Sequence, residues 1–172
     1  MSSQNPRSAN TAVSDPKELI VIRAFSAPKN LVWKAWTDPK QVVKWWGPKD
    51  YTSPACVIDL RVGGKYQFCM RSPQGKYFWS TGVYREIVEK ERIVYTDSFA
   101  DEKGNIVPAT HYDLSPDIPL EMTVTVTFDE HDNTTSMILK HADLPSGTMS
   151  ELTGQGWNES FDKLAESLKQ NR

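Results

Sequence analysis

A chain of 172 residues with a formal net charge of −2 has one domain's length and no electrostatic reason to bind nucleic acid or an anionic membrane. No apolar run nears the ~20 residues that span a bilayer, so no membrane insertion is expected. The two cysteines, Cys56 and Cys69, exclude a disulfide framework of the secreted kind. Six Trp, six Tyr and six Phe are a heavy load that fills a wide core or lines a pocket for flat apolar ligands.

Residues 1–16 are rich in Ser, Asn and Ala, lack a hydrophobic block, and read as a disordered leader rather than a secretory signal; a cytoplasmic protein is expected. Residues 17–170 read as one domain. Leu19 to Ile22 with Phe25 form a first strand. Pro28 suits a helix start, and Leu31, Val32, Ala35 and Trp36 share one face of a short helix. Asp38-Pro39 stops it and opens another, with Val42, Val43 and Trp46 inward, ended by Gly47-Pro48.

From Tyr51 to His141 the chain is mostly strand. Cys56–Leu60 and Lys65–Arg71 flank the tight turn Arg61-Val62-Gly63-Gly64; a turn centred on Val62-Gly63 sets Cys56 opposite Cys69, as two buried neighbours or, less simply, a redox pair. A four-residue loop, Ser72 to Gly75, leads into Tyr77–Ile87, and Glu89-Lys90-Glu91 turns the chain into Ile93–Phe99, whose facing the sequence leaves open. Ala100 to Pro119 is a long segment that either covers a pocket mouth or is a surface excursion. Leu120 to Phe128 alternates apolar and polar over nine residues, and Asp132-Asn133 turns it into Ser136–His141. A final helix from about Thr148 to Lys169 carries Met149, Leu152, Trp157, Phe161, Leu164 and Leu168 on one stripe, with Glu151, Glu159, Asp162, Lys163 and Glu166 outward. Gly154 and Gly156 weaken it by about 1 kcal/mol each, so close approach to the sheet or room beside a cavity is expected there.

Chemistry-bearing motifs are absent. His111, His131 and His141 have no ligand-pair spacing, so no metal and no cofactor are expected; His111, in the long segment, is the one placed where it could face a pocket. There is no nucleophile elbow, phosphate loop or dinucleotide fingerprint, and no catalytic residue is assigned. Asp59, Arg61, Arg85, Glu86 and Asp97 are charges embedded in strands; rim salt bridges are the commoner outcome, an inward pair that orients a ligand the rarer one.

Strand, two short helices, a run of antiparallel strands and a long amphipathic helix together resemble the START-like, or helix-grip, superfamily. Ala27-Pro28 through Trp36-Thr37-Asp38-Pro39, Trp45-Trp46-Gly47-Pro48, Asp59-Leu60-Arg61 with Gly63-Gly64, Gly82 with Tyr84 and Glu86, Thr123 to Phe128, and Gly156-Trp157 are similar to one branch of it. That branch is the domain family named for the activator of the heat-shock-protein-ninety ATPase. Val62 departs from the Pro often found there, which bears on turn stiffness. The resemblance implies an α+β fold in which a curved antiparallel sheet of six or seven strands wraps a C-terminal helix around an apolar cavity. With 18 residues before the first strand, the extra N-terminal domain of the eukaryotic co-chaperones is not expected.

On that plan Tyr66, Phe68 and Met70 share the helix-facing side with Tyr77 and Trp79, joined by Met122, Val124 and Val126 and by Trp157 and Phe161 of the helix, while Trp46 closes one end. All of these except Tyr77 and Val126 form the candidate ligand-binding set. The leading function is binding of a small hydrophobic or amphipathic molecule without catalysis. The alternatives are a pocket enzyme of cyclase or hydrolase type and a module contacting a chaperone; a homodimer is compatible with all three.

Overall fold

The computed structural model describes residues 18–170; the expected leader, 1–16, lies outside them. Strand β1 (Leu19–Phe25) is followed by two short helices, α1 (Lys29–Thr37) and α2 (Pro39–Val42). Six strands follow: β2 (Thr52–Ile58), β3 (Lys65–Arg71), β4 (Tyr77–Val88), β5 (Arg92–Ala100), β6 (Met122–His131) and β7 (Thr134–Ala142), and the chain closes on α3 (Thr148–Gln170). The order across the single sheet is β1-β7-β6-β5-β4-β3-β2, all antiparallel. The run from β2 to β7 is thus a meander, and β1 adds to its far edge. This curled sheet gripping one long helix is the helix-grip arrangement.

Helix α1 forms because Val32, Trp33, Ala35 and Trp36 can be buried together on one face. Asp38 then caps α2, its carboxylate accepting from Lys40 N–H at 2.9 Å, with Pro39 at the first helical position where no N–H is needed. Trp36 sits at the middle of an aromatic cluster, with ring centroids 4.9 Å from Trp45, 6.2 Å from Trp157 and 6.1 Å from Phe161. Trp45 is wholly buried and donates its indole N–H to Ala35 O at 2.9 Å, so its one polar atom is satisfied. Phe161, Leu164 and Leu168 seat α3 in this core against Val21, Phe25, Val126 and Leu139. Outside it, Arg23 of β1 reaches Asp162 at 3.0 Å and the Asn158 carbonyl at 3.1 Å. Lys163 is half-buried rather than turned outward: its ammonium donates to Pro48 O and Tyr51 O, holding that turn against α3.

Two registers differ from expectation. In β2–β3 it is Ala55 that faces Cys69, and Cys56 faces Phe68. The thiols therefore lie on opposite faces, which removes both the neighbour and the redox reading. The turn spends its glycines differently: Gly63 has φ of +88°, whereas a Cβ on Gly64 would lie 2.1 Å from Asp59 O. In β3–β4 the loop is five residues, because Arg71 pairs with Tyr77, so Phe78, Ser80 and Gly82 share the inner face with Met70, Phe68 and Tyr66, while Tyr77 and Trp79 lie on the outer one. A register shift between Tyr84 and Glu86 then returns Ile87 to the core.

Two glycines give opposite expectations. A Cβ on Gly82 would stand 1.8 Å from Thr96 O and 2.6 Å from the Tyr66 ring, with backbone on one side that cannot yield. Gly82→Ala is expected to cost about 3 kcal/mol or more in chemical denaturation. At Gly156 the nearest atom would be Pro48 Cγ at 3.6 Å, an ordinary contact, and Gly156→Ala is expected to leave stability unchanged or raise it by up to about 1 kcal/mol. A destabilised Gly156→Ala protein would contradict this packing.

Candidate ligand pocket

Between α3, the turn after α2 and the inner face of the sheet lies a pocket of about 330 Å³. Met70, Phe78 and Phe99 supply its sheet wall, Trp46 and Pro48 one end, and Trp157, Gly156 and Leu152 the helix side. Leu114 and Ile118 of the long segment close the opposite side. That segment is ordered by its own chemistry. Asp101 accepts from the backbone of Lys103 and Asn105, Ile106 bridges Ala100, and a 3-10 helix spans Ala109–Tyr112. The Tyr112 hydroxyl donates to Ala100 O and accepts from Trp79 N–H, pinning the segment to the ends of β4 and β5. Ala109, Ile118, Met122 and Leu144 form a small second core beneath it.

Five of the nine sequence-derived candidates border this pocket: Trp46, Met70, Trp79, Met122 and Trp157. Tyr66, Phe68, Val124 and Phe161 lie in the packed core behind it. Trp79 borders it from a strand position whose side chain belongs to the outer face. Leu152 is 57% exposed, at the rim rather than in the core. His111 is exposed and does not line the pocket. The histidine that does is His141, only 4% exposed.

His141 and Asp97 come together because the ladder puts them on one face. Tyr95, Val124 and His141 stand in one row across β5, β6 and β7, and Asp97 lies opposite Met122 one pleat along. Trp157 Nε1 donates to His141 Nδ1 at 3.1 Å, so the neutral ring carries its proton on Nε2. That Nε2 is buried without a hydrogen-bond partner, 3.8 Å from Asp97 Oδ2 and too far for a direct bond. Asp97 Oδ1 lies 3.3 Å from the Tyr66 hydroxyl, whose single proton is also directed to Thr96 O at 2.8 Å.

Burial pushes the Asp97 carboxyl up to about 6, partly offset by the Tyr66 hydrogen bond, and pushes His141 down to about 4. The geometry supports the second direction independently, because a proton on Nδ1 would break the bond from Trp157. At neutral pH the pocket therefore holds one carboxylate and one neutral imidazole. Among the described residues no group of three or more His, Cys, Asp or Glu is placed to hold a metal ion. At the surface Arg61 pairs with Asp59, both in the turn between β2 and β3 rather than in a strand, and Arg92 of β5 pairs with Glu86 of β4, each pair at 3.0 Å.

Residues 26–169 match the family model described as activator of Hsp90 ATPase homolog 1-like protein. The chain belongs to this family. Similar solved structures include a protein from Nitrosomonas europaea at 26% identity, covering 91% of this chain and 96% of its own with a TM-score of 0.73. Another, from Chromobacterium violaceum, is 27% identical, covering 89% and 97% with a TM-score of 0.71. A third, from Mycobacterium smegmatis, is 25% identical, covering 89% and 88% with a TM-score of 0.69. No curated protein matches the chain. Among the described residues no helix is long and apolar enough to cross a membrane.

In this START-like domain the part-buried Asp97 and the buried His141 have opposite proton linkage. Folded Asp97 keeps its proton up to about 6 against 3.8 for the free side chain, so it makes stability fall as pH rises between those values. His141 gives up its proton near 4 instead of 6.5, so it makes stability rise with pH across that interval. The slopes nearly cancel in the native protein. Asp97→Asn removes the falling slope, and urea titrations from pH 4 to 7.5 are expected to show the variant gaining on wild type as pH rises. The gain should reach on the order of 2–3 kcal/mol at pH 7.5. A constant difference across that range would mean that Asp97 is not held protonated by burial.

Proposed function

We propose that this domain binds a small apolar or amphipathic molecule in the pocket between α3 and the sheet. The observation that carries the reading is the wall itself: Trp46, Met70, Phe78, Phe99, Met122 and Trp157 surround about 330 Å³, and the polar side chains Asp97 and His141 meet at one place on it. An apolar enclosure with a few convergent polar groups is the usual composition of a small-molecule site. Helix α3 contributes Gly156 where an alanine would favour the helix, which leaves that volume open.

A chaperone contact is the second reading. It draws on the family's description and on Ile20 and Ile22, which stand 51% and 66% exposed on the outer face of edge strand β1.

Native mass spectrometry of freshly purified protein is expected to show a non-covalent adduct that denaturation releases. Gly156→Leu, which grows a side chain into the space beside Pro48, is expected to lose the adduct while keeping the wild-type circular dichroism spectrum. A clean apo mass, with no thermal shift across a panel of lipids and aromatics, would sink the carrier reading. Stimulation of a chaperone ATPase that Ile22→Lys abolishes would move the function to the outer face.

A further inference from the structure

The polar end of the pocket is incomplete in a way that specifies its complement. His141 Nε2–H is a buried donor with no acceptor. The ring cannot turn over to hide it without giving up Trp157, which donates to Nδ1 at 3.1 Å. Asp97 is part-buried, its side chain 22% exposed toward the pocket, and the one hydroxyl near it, that of Tyr66, lies 3.3 Å from Oδ1 and 2.8 Å from Thr96 O. Ionised, it competes with Thr96 O for a single hydroxyl proton, and its Oδ2 faces the pocket with no protein donor within hydrogen-bond distance. The unmet donor and the unmet acceptor are 3.8 Å apart. An oxygen placed about 2.8 Å from each fits over that gap, and only a group that both accepts and donates satisfies the two together.

We propose that Asp97 and His141 form a recognition site for a hydroxyl group, so that the ligand is an apolar alcohol or phenol: its oxygen accepts from His141 Nε2–H and its proton goes to Asp97 Oδ2. This rests on the pocket being a binding site and names the class of its ligand. Carboxylates and phosphates are refused, since they bring no proton at neutral pH and meet a part-buried carboxylate with no cation beside it. Hydrocarbons of the same shape are disfavoured because they displace solvent from both groups and give neither a partner. Tyr95 and Tyr66 lie in the core behind the site, and burial holds both phenols well above their usual range, so they stay neutral.

Calorimetric titration of the full chain at pH 7.5 with 2-naphthol, 2-methylnaphthalene and 2-naphthoate separates the possibilities. The naphthol is expected to bind about tenfold or more tightly than the methyl compound, and the naphthoate no better than the latter. In Asp97→Leu, which leaves Tyr66 its bond to Thr96 O, the two neutral compounds are expected to bind within about twofold of each other. Should that variant fail to fold, histidine-labelled wild-type protein supplies the same answer: naphthol is expected to shift the His141 Nε2 resonance and to leave Nδ1, held by Trp157, nearly in place. Equal binding of naphthol and methylnaphthalene, or an unmoved Nε2, overturns hydroxyl recognition while the pocket stays a binding site. Failure of all three compounds to bind overturns this proposal and counts against the pocket reading as well.

Discussion

The hydrogen bond from Trp157 Nε1 to His141 Nδ1 is the contact on which the chemistry of this domain depends. It ties the middle of the long helix to the seventh strand. It also decides which imidazole nitrogen carries a proton, and so what the pocket offers. A histidine left to itself in so buried a place could present either nitrogen; here the indole selects one state and holds the other nitrogen toward Asp97. The aromatic cluster around Trp36 in turn fixes the indole, whose ring lies 5.5 Å from both Trp46 and Phe161. Core packing and site chemistry are one network.

That network tolerates a cost that packing alone would avoid. An ionised Asp97 beside a neutral ring, short of donors, opposes folding at neutral pH. The surface pairs Arg61–Asp59 and Arg92–Glu86 sit in water at little gain or loss. An apolar side chain at that position would avoid the cost, and the proposed hydroxyl recognition gives the carboxylate a use that packing does not.

The sequence revealed the frame far better than the site. Alternation in Met122–Phe128 and the apolar stripe of α3 fixed which faces turn inward, because both depend only on backbone period. Registers were harder, since they depend on loop length. One extra residue in the loop 72–76 exchanged Phe78 for Trp79 on the inner face, and a one-residue offset separated Cys56 from Cys69. Asp97 and His141 were hidden for a different reason: 44 positions apart, they have no spacing signature and meet only through the ladder across β6. A cue did exist. Both occupy the inward parity of otherwise apolar strands, and once β5 is aligned on Ile93 and Tyr95, Asp97 must follow them inside.

Because Asp97 and His141 project from the second and fourth of four neighbouring strands counted from β4, with β6 between them, their separation is set by strand spacing and pleat rather than by loop conformation. The two positions therefore act as a socket of fixed width whose chemistry can be exchanged side chain by side chain. Exchanging either side chain changes the polar chemistry at that end of the pocket without rebuilding the sheet or the helix that covers it.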